Sequence, residues 1–109
     1  MTAYAPTLRR IQARRRPIDP WSRMRRESAE AAAARFAADL ASARVIARTS
    51  RGVALSDALR AAAIAEDGLA AAAHTLYHTG LSKPQVAAEL DVSPSRARKL
   101  IDKGNQING

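Results

Sequence analysis

The chain has 109 residues, of which 18 are Lys or Arg and 10 are Asp or Glu, so its formal net charge is +8. It contains no Cys, which excludes disulfide frameworks, thiolate nucleophiles and Cys-bound zinc. Its 26 Ala residues outnumber Leu, Ile, Val and Phe together, which total 20, so we expect an all-α fold in one small domain with a thin core.

The positive charge is concentrated at the two ends of the chain. Residues 1–26 carry a net charge of +7, residues 27–80 a net charge of −1 and residues 81–109 a net charge of +2. A basic terminal segment with a second basic patch indicates a polyanionic partner, because phosphate contacts dominate affinity for nucleic acids. A basic tail that only keeps a disordered end soluble is the alternative, as is an organelle transit peptide.

The first segment, residues 1–18, contains two Pro residues and no periodic apolar pattern, and we predict that it is a flexible basic arm. Its densest cluster is Arg14, Arg15 and Arg16. Arms with spaced Arg residues follow the minor groove of A·T-rich DNA or contact phosphates without sequence preference. The arm cluster is therefore predicted to bind DNA.

A long Ala-rich helix is predicted over residues 19–52. Asp19 followed by Pro20 is typical of a helix start, and Gly52 is expected to supply a left-handed cap at the end. One helical face carries small and apolar residues, namely Ala29, Ala32, Phe36, Leu40, Ala43 and Ala47. This face either packs on the chain's own domain or forms a seam with a second subunit.

A second helix is expected to start at Ser56-Asp57, and Glu66-Asp67-Gly68 either ends it or lies inside a longer helix. The stretch 69–78 is predicted to be a supporting helix closed by Gly80. His74 and His78 have the spacing of a shared metal site, but without Cys or a third His we expect packing or surface roles and no cofactor.

Two short helices are predicted between residues 82 and 103. Ser82 and Gln85 have the spacing of a capping box, and Ser93 followed by Pro94 repeats the start signal. The apolar positions of the two helices are Val86, Ala87, Leu90, Ala97, Leu100 and Ile101. This pattern predicts a helix-turn-helix, with residues 105–109 as a tail.

The segment resembles the helix-turn-helix of bacterial and phage regulators, particularly the tri-helical form of sigma-factor C-terminal domains and resolvases. The residues that carry the resemblance are Gly80-Leu81-Ser82, Val86-Ala87, Leu90, Val92-Ser93 and the pair Ala97 and Leu100. It covers residues 69–104 and not residues 1–52. Asp91 stands where Gly is usual, and Ala97 replaces a larger aliphatic residue. The DNA-binding domain is therefore placed at residues 53–104.

In a helix-turn-helix, the second helix enters the major groove, which here is the helix 94–103. Arg98 is the first choice for a bidentate contact with guanine. The residues predicted to reach bases or the groove are Ser93, Ser95, Arg96, Arg98 and Lys99. Phosphate contacts are predicted for Lys83 and Lys103 in addition to the arm cluster.

No spacing of residues suggests a catalytic triad, a phosphate-cradling Gly loop or a metal site, so an enzyme is not expected. We expect a sequence-specific binder of double-stranded DNA: a small transcriptional regulator that acts as a homodimer in a bacterial cytoplasm, at the nucleoid, or in a phage-infected host. One alternative is an interaction protein that binds RNA polymerase or another regulator. Another is an accessory DNA-binding factor for plasmid maintenance or recombination. No membrane partner is expected, because no stretch is apolar enough to span a bilayer.

Overall fold

The computed structural model describes residues 19–108, which form four α-helices and no strand. The helices are α1 (Pro20–Thr49), α2 (Val53–His78), α3 (Lys83–Leu90) and α4 (Pro94–Asn108). The predicted all-α class is confirmed. The predicted arm, residues 1–18 with Arg14, Arg15 and Arg16, lies outside the described residues. None of the four helices is long and apolar enough to cross a membrane.

Helix α1 begins where its sequence predicts. The Asp19 carboxylate accepts hydrogen bonds from the backbone N–H and from the hydroxyl of Ser22, each at 2.8 Å, and Pro20 is the first helical residue. The bond from the Ser22 N–H is the main reason that the pKa of Asp19 is lowered. A side-chain oxygen at this position satisfies a backbone donor that the helix itself leaves unpaired.

The connection between α1 and α2 differs from the prediction. Helix α1 ends at Thr49 with Ser50 in an extended conformation, and Gly52 precedes α2 as its N-cap instead of closing α1. Gly52 does have a positive φ of 63°, which glycine adopts at little cost. The prediction recognised the special backbone of Gly52 but assigned it to the wrong helix.

Helix α2 is a single helix of 26 residues. It starts at Val53, three residues before the predicted Ser56, and runs through Glu66-Asp67-Gly68 without a break. Gly68 lies against the ring of Phe36, and a Cβ atom at this position would be 2.6 Å from three ring atoms. Gly68 therefore permits a close contact between helices, and the predicted supporting helix is the C-terminal part of α2.

Helices α1 and α2 form an antiparallel hairpin. Arg26, near the start of α1, contacts Thr79 just after α2, and Phe36 in the middle of α1 covers Gly68. Half of the predicted Ala-rich face of α1 is buried, namely Ala29, Leu40 and Ala43, and the other half is partly buried. The predicted face therefore packs within the chain.

Helix α4 packs on a different side of α2, and α3 lies against α4. Gly104 of α4 is so close to α2 that a Cβ atom would overlap the carbonyl oxygen of Ala70. One cluster of buried residues includes side chains from all four helices, and its largest fully buried members are Leu76, Val86 and Leu100. Helix α4 continues to Asn108, beyond the predicted end at residue 103 and into the stretch predicted as a tail, residues 105–109.

Candidate nucleic-acid interface

The start of α3 is fixed by the predicted capping box. The Ser82 backbone N–H donates to Oε1 of Gln85 at 2.8 Å, and the Gln85 backbone N–H donates to Oγ of Ser82 at 3.3 Å. Lys83 occupies the first helical position with its side chain exposed, and its Nζ atom is 5.8 Å from the centre of the Tyr77 ring. The cap therefore places an accessible ammonium group at the N-terminal end of α3.

The turn between α3 and α4 depends on a left-handed residue. Asp91 has φ 54° and ψ 49°, and within residues 19–108 it has the one positive φ outside glycine. Its backbone N–H donates to the Ala88 carbonyl at 3.2 Å, and the Val92 N–H donates to the Ala87 carbonyl at 3.0 Å. Asp tolerates this conformation better than most residues, so the replacement of the usual Gly does not prevent the turn.

Helix α4 begins at the second predicted start signal and is oriented by its apolar side. The Ser93 hydroxyl accepts a hydrogen bond from the Arg96 backbone N–H at 3.1 Å. Ala97, Leu100 and Ile101 are buried. The intervening positions Arg98 and Lys99 are exposed. The two predicted short helices are therefore present, and the two cationic residues at the centre of α4 point away from the core.

Arg96 makes a contact that the sequence analysis did not predict. Its guanidinium donates two hydrogen bonds to the Glu66 carboxylate on α2, with N–O distances of 2.5 and 2.7 Å, and both side chains are partly buried. The hydrogen bond from Arg96 lowers the pKa of Glu66 and raises the pKa of Arg96 itself. The structure thus commits Arg96 to α2, and we remove it from the residues expected to reach a base.

Lys103 also pairs with α2. Its Nζ atom lies 3.0 Å from Oδ1 of Asp67, and both side chains are about half exposed. Lys103 follows Arg96 by seven residues, which is two helical turns, and Glu66 and Asp67 are neighbours in sequence. The two ion pairs connect two turns of α4 to one turn of α2. Lys103 is therefore first a partner of Asp67, and its predicted contact with phosphate would compete with this ion pair.

A contact that the sequence pattern does not indicate holds the segment between α2 and α3. Arg26 donates from Nη2 to the Thr79 carbonyl at 2.7 Å and from Nε to the Thr79 hydroxyl at 3.3 Å. Thr79 is buried, and its hydroxyl donates to the Leu76 carbonyl at 2.8 Å. Glu30 lies four residues after Arg26 and would be the local partner by helical spacing. A partner 53 residues away leaves no signal in one sequence.

His74 and His78 stack on one turn of α2, with ring centres 4.2 Å apart and the planes tilted by 49°. His74 also faces Gly104 of α4, where its Cβ limits the available space. Residues 19–108 contain no group of three or more His, Cys, Asp or Glu residues arranged to hold a metal ion. The geometry places His74 in the contact between helices and leaves His78 exposed at the surface.

The exposed polar and cationic residues around the start of α4 form what we call the α4 surface, defined as Lys83, Ser93, Ser95, Arg98 and Lys99. Within residues 19–108, neither Arg98 nor Lys99 takes part in an ion pair. The three predicted arm residues are outside the described part, and their contribution to this surface remains a prediction. No family model, curated protein or solved structure matches the chain, so the α4 surface is interpreted from its own chemistry.

Proposed function

We propose that the protein binds double-stranded DNA in a sequence-specific manner and acts as a small transcriptional regulator of the helix-turn-helix type. The observation that carries the proposal is the position of Arg98 and Lys99. They lie on the outward side of α4, whose opposite side is packed into the core through Leu100 and Ile101. A helix presented in this way can enter a major groove, because a helix with its side chains is about as wide as the groove, about 12 Å.

Base contacts are assigned to the N-terminal half of α4. Arg98 offers the two parallel N–H donors that match O6 and N7 of guanine, a contact worth about 1–3 kcal/mol of discrimination. Ser93 and Ser95 flank the helix start and are exposed, so their hydroxyls are within reach of bases or the phosphate backbone. Lys99 is the adjacent exposed cation, and it contacts either a base or a phosphate.

Arg96 and Lys103 act as positioning residues in this proposal. Rotation of α4 about its own axis would turn Arg98 away from the groove. The Arg96–Glu66 pair opposes that rotation because both terminal guanidinium nitrogens, Nη1 and Nη2, are engaged. Lys103 adds a second attachment two turns further along α4. The direction of Arg98 is therefore set by contacts on the far side of the same helix.

Affinity that does not depend on sequence is assigned to backbone contacts. Lys83 stands at the N-terminal end of α3, where the positive end of the helix dipole and a cationic side chain together favour a phosphate. The arm cluster of Arg14, Arg15 and Arg16 supplies further phosphate or minor-groove contacts. Because one helix-turn-helix buries little surface, we infer that the active species is a homodimer on a two-fold symmetric site.

The proposal is tested by selecting bound fragments from a random duplex library and measuring affinity for the selected site and for an unrelated duplex. Arg98→Ala is expected to lose the preference for the selected site, about ten- to a hundredfold, while keeping weak binding to any duplex. Arg48→Ala is the matched control, because it removes the same exposed charge from the far end of α1. It is expected to keep the preference.

Two results would overturn the proposal. Equal site preference in Arg98→Ala and the native chain would remove α4 as the reading element. Failure of the native chain to bind any duplex at low salt, with co-purification of RNA polymerase instead, would favour the alternative of a polymerase-binding interaction protein.

A further inference from the structure

An apolar groove runs along one side of the α1–α2 hairpin, away from the α4 surface. It consists of two depressions of about 580 and 350 Å³ that meet at the Phe36 side chain. The larger depression lies beside Trp21 and Met24, and the smaller one lies beside Ile46 and Ile64. These four side chains are between 50 and 75 % exposed, although each is large and apolar. Such a continuous patch marks an interaction surface.

Large exposed side chains lie at both ends of the groove. Between them it is lined by the Phe36 ring and by small residues such as Ala32, Gly68 and Ala71. Arg25 and Asp39 are the two charged residues among those lining the depressions, and Ala32 lies midway between them in the sequence of α1. At about 1.5 Å per residue they are roughly 21 Å apart along the helix, so they cannot pair within one chain.

We propose that a second copy of this chain docks on the groove, with the two α1 helices antiparallel and a two-fold axis near Ala32. A two-fold axis places residue i of one copy opposite residue j of the other, and j opposite i. Arg25 of each copy then faces Asp39 of the other. Trp21 and Met24 of one copy enter the depression beside Ile46 and Ile64 of its partner.

The size of this side of the hairpin and the charge of the groove both fit a second copy. Helix α1 is about 45 Å long and two adjacent helices are about 20 Å wide, so this side of the hairpin offers roughly 900 Å². Stable interfaces bury about 800 Å² per partner. The chain carries a net charge of +8, so two copies repel each other over most of their surface, but the groove is neutral because Arg25 balances Asp39.

The inference goes beyond DNA binding and is tested without DNA. Arg25→Asp and Asp39→Arg are expected to raise the dimer dissociation constant at least tenfold each, because each variant places like charges opposite one another. The double variant, Arg25→Asp with Asp39→Arg, is expected to restore dimerisation to within about threefold of the native chain. Sedimentation equilibrium over a range of concentrations measures the constants, and circular dichroism verifies that each variant is folded.

A second pair of variants tests the apolar ends of the groove. Met24→Glu removes a lining side chain that is 59 % exposed, and Val45→Glu removes one that is 58 % exposed on the same helix but lines neither depression. Met24→Glu is expected to give a monomer, and Val45→Glu is expected to remain dimeric. Trp21 is the only Trp of the chain, so its emission is expected to shift to shorter wavelength as the native dimer forms.

The proposal fails if the native chain is a monomer at all accessible concentrations, in which case the groove belongs to another partner. It also fails if the charge-exchanged double variant is no more dimeric than the single ones. Loss of dimerisation with retained duplex binding would leave the proposed binding of DNA intact but would remove the homodimer as its active species, so the two ideas are separated by the same set of variants.

Discussion

The two contacts that α2 makes, with α1 on one side and with α4 on another, are built differently. The α1–α2 contact is long and consists mainly of Ala side chains, with the Phe36 ring against Gly68. The α2–α4 contact is short but combines Gly104 against the Ala70 backbone with two ion pairs. One contact is extended and weakly directional, and the other fixes a particular orientation.

The difference shows how a chain with few large apolar residues divides its stabilising interactions. Ala buries little area per residue, so a contact made of Ala needs many turns of helix to become stable. A bidentate ion pair and a close backbone approach define the position of a helix with few residues, because their geometry is strict. The α2–α4 contact, which has the strict geometry, is the one that orients the α4 surface.

The largest expected effect concerns Gly104. Gly104→Ala places a Cβ atom against the Ala70 carbonyl oxygen, which is backbone and cannot move aside, so we expect a loss of about 1–3 kcal/mol in the free energy of unfolding. The measurement is urea denaturation, with the exposed neighbour Asn105→Ala as the control. A gain in stability, as the higher helix propensity of Ala alone would give, would show that α2 and α4 are further apart than described.

Gly68 provides the corresponding test of the α1–α2 contact. Gly68→Ala would place a Cβ atom 2.6 Å from the Phe36 ring, but this ring borders the open groove and can turn outward. We expect a net change below about 1 kcal/mol, since the gain in helix propensity offsets part of the displacement. In a Phe36→Ala background the same substitution is expected to be stabilising. A loss as large as that of Gly104→Ala would mean that the two contacts are equally strict.

The smallest expected effect concerns the Arg96–Glu66 ion pair. Glu66→Gln is expected to lower the free energy of unfolding by about 0.5–1 kcal/mol at pH 7, because the pair is bidentate but partly exposed. Asp67→Asn, which affects the more exposed pair with Lys103, is expected to cost less. Thermal denaturation of the two variants in parallel measures both changes.

The same ion pair predicts a pH dependence. Hydrogen bonding to Arg96 lowers the pKa of Glu66 in the folded protein below its ordinary value of 4.5. A lowered carboxyl pKa contributes stability above the unfolded value, and this contribution disappears as the pH falls through the folded value. The native chain is therefore expected to lose stability faster than Glu66→Gln below about pH 4.5. The measurement is the free energy of unfolding of both chains as the pH is lowered. The same loss of stability in both chains would contradict the assignment.

The sequence predicts the starts of α1, α3 and α4 because their capping is local, whereas α2, which has no side-chain cap, starts three residues before its predicted position. Asp19, Ser82 and Ser93 are each followed within three residues by the backbone donor that they cap, so the signal and the structure occupy the same few residues. The outward direction of Arg98 follows equally directly, because the buried positions of α4 recur at helical spacing around it.

Features that depend on distant residues are not predictable in this way. A Gly next to two acidic residues is typical of a helix end, whereas Gly68 lies inside α2 with Phe36 of another helix packed against it. Arg96 and Arg98 are both arginines of α4. They differ because Arg96 pairs with Glu66, which lies 30 residues earlier in the chain. The groove requires the faces of α1 and α2 to be known together, which a pattern within one helix does not provide.

The attachment of Arg26 to Thr79 sets a lower limit on the piece of chain that can hold α3 in place. A fragment starting at Val53 would retain α2, α3 and α4 but would leave the Thr79 carbonyl without its guanidinium donor. The link between α2 and α3 would then lose this anchor, and α3, which packs against α4, would be held less firmly. The opening turns of α1 are therefore structurally part of the region that carries Arg98, although more than 70 residues separate them along the polypeptide.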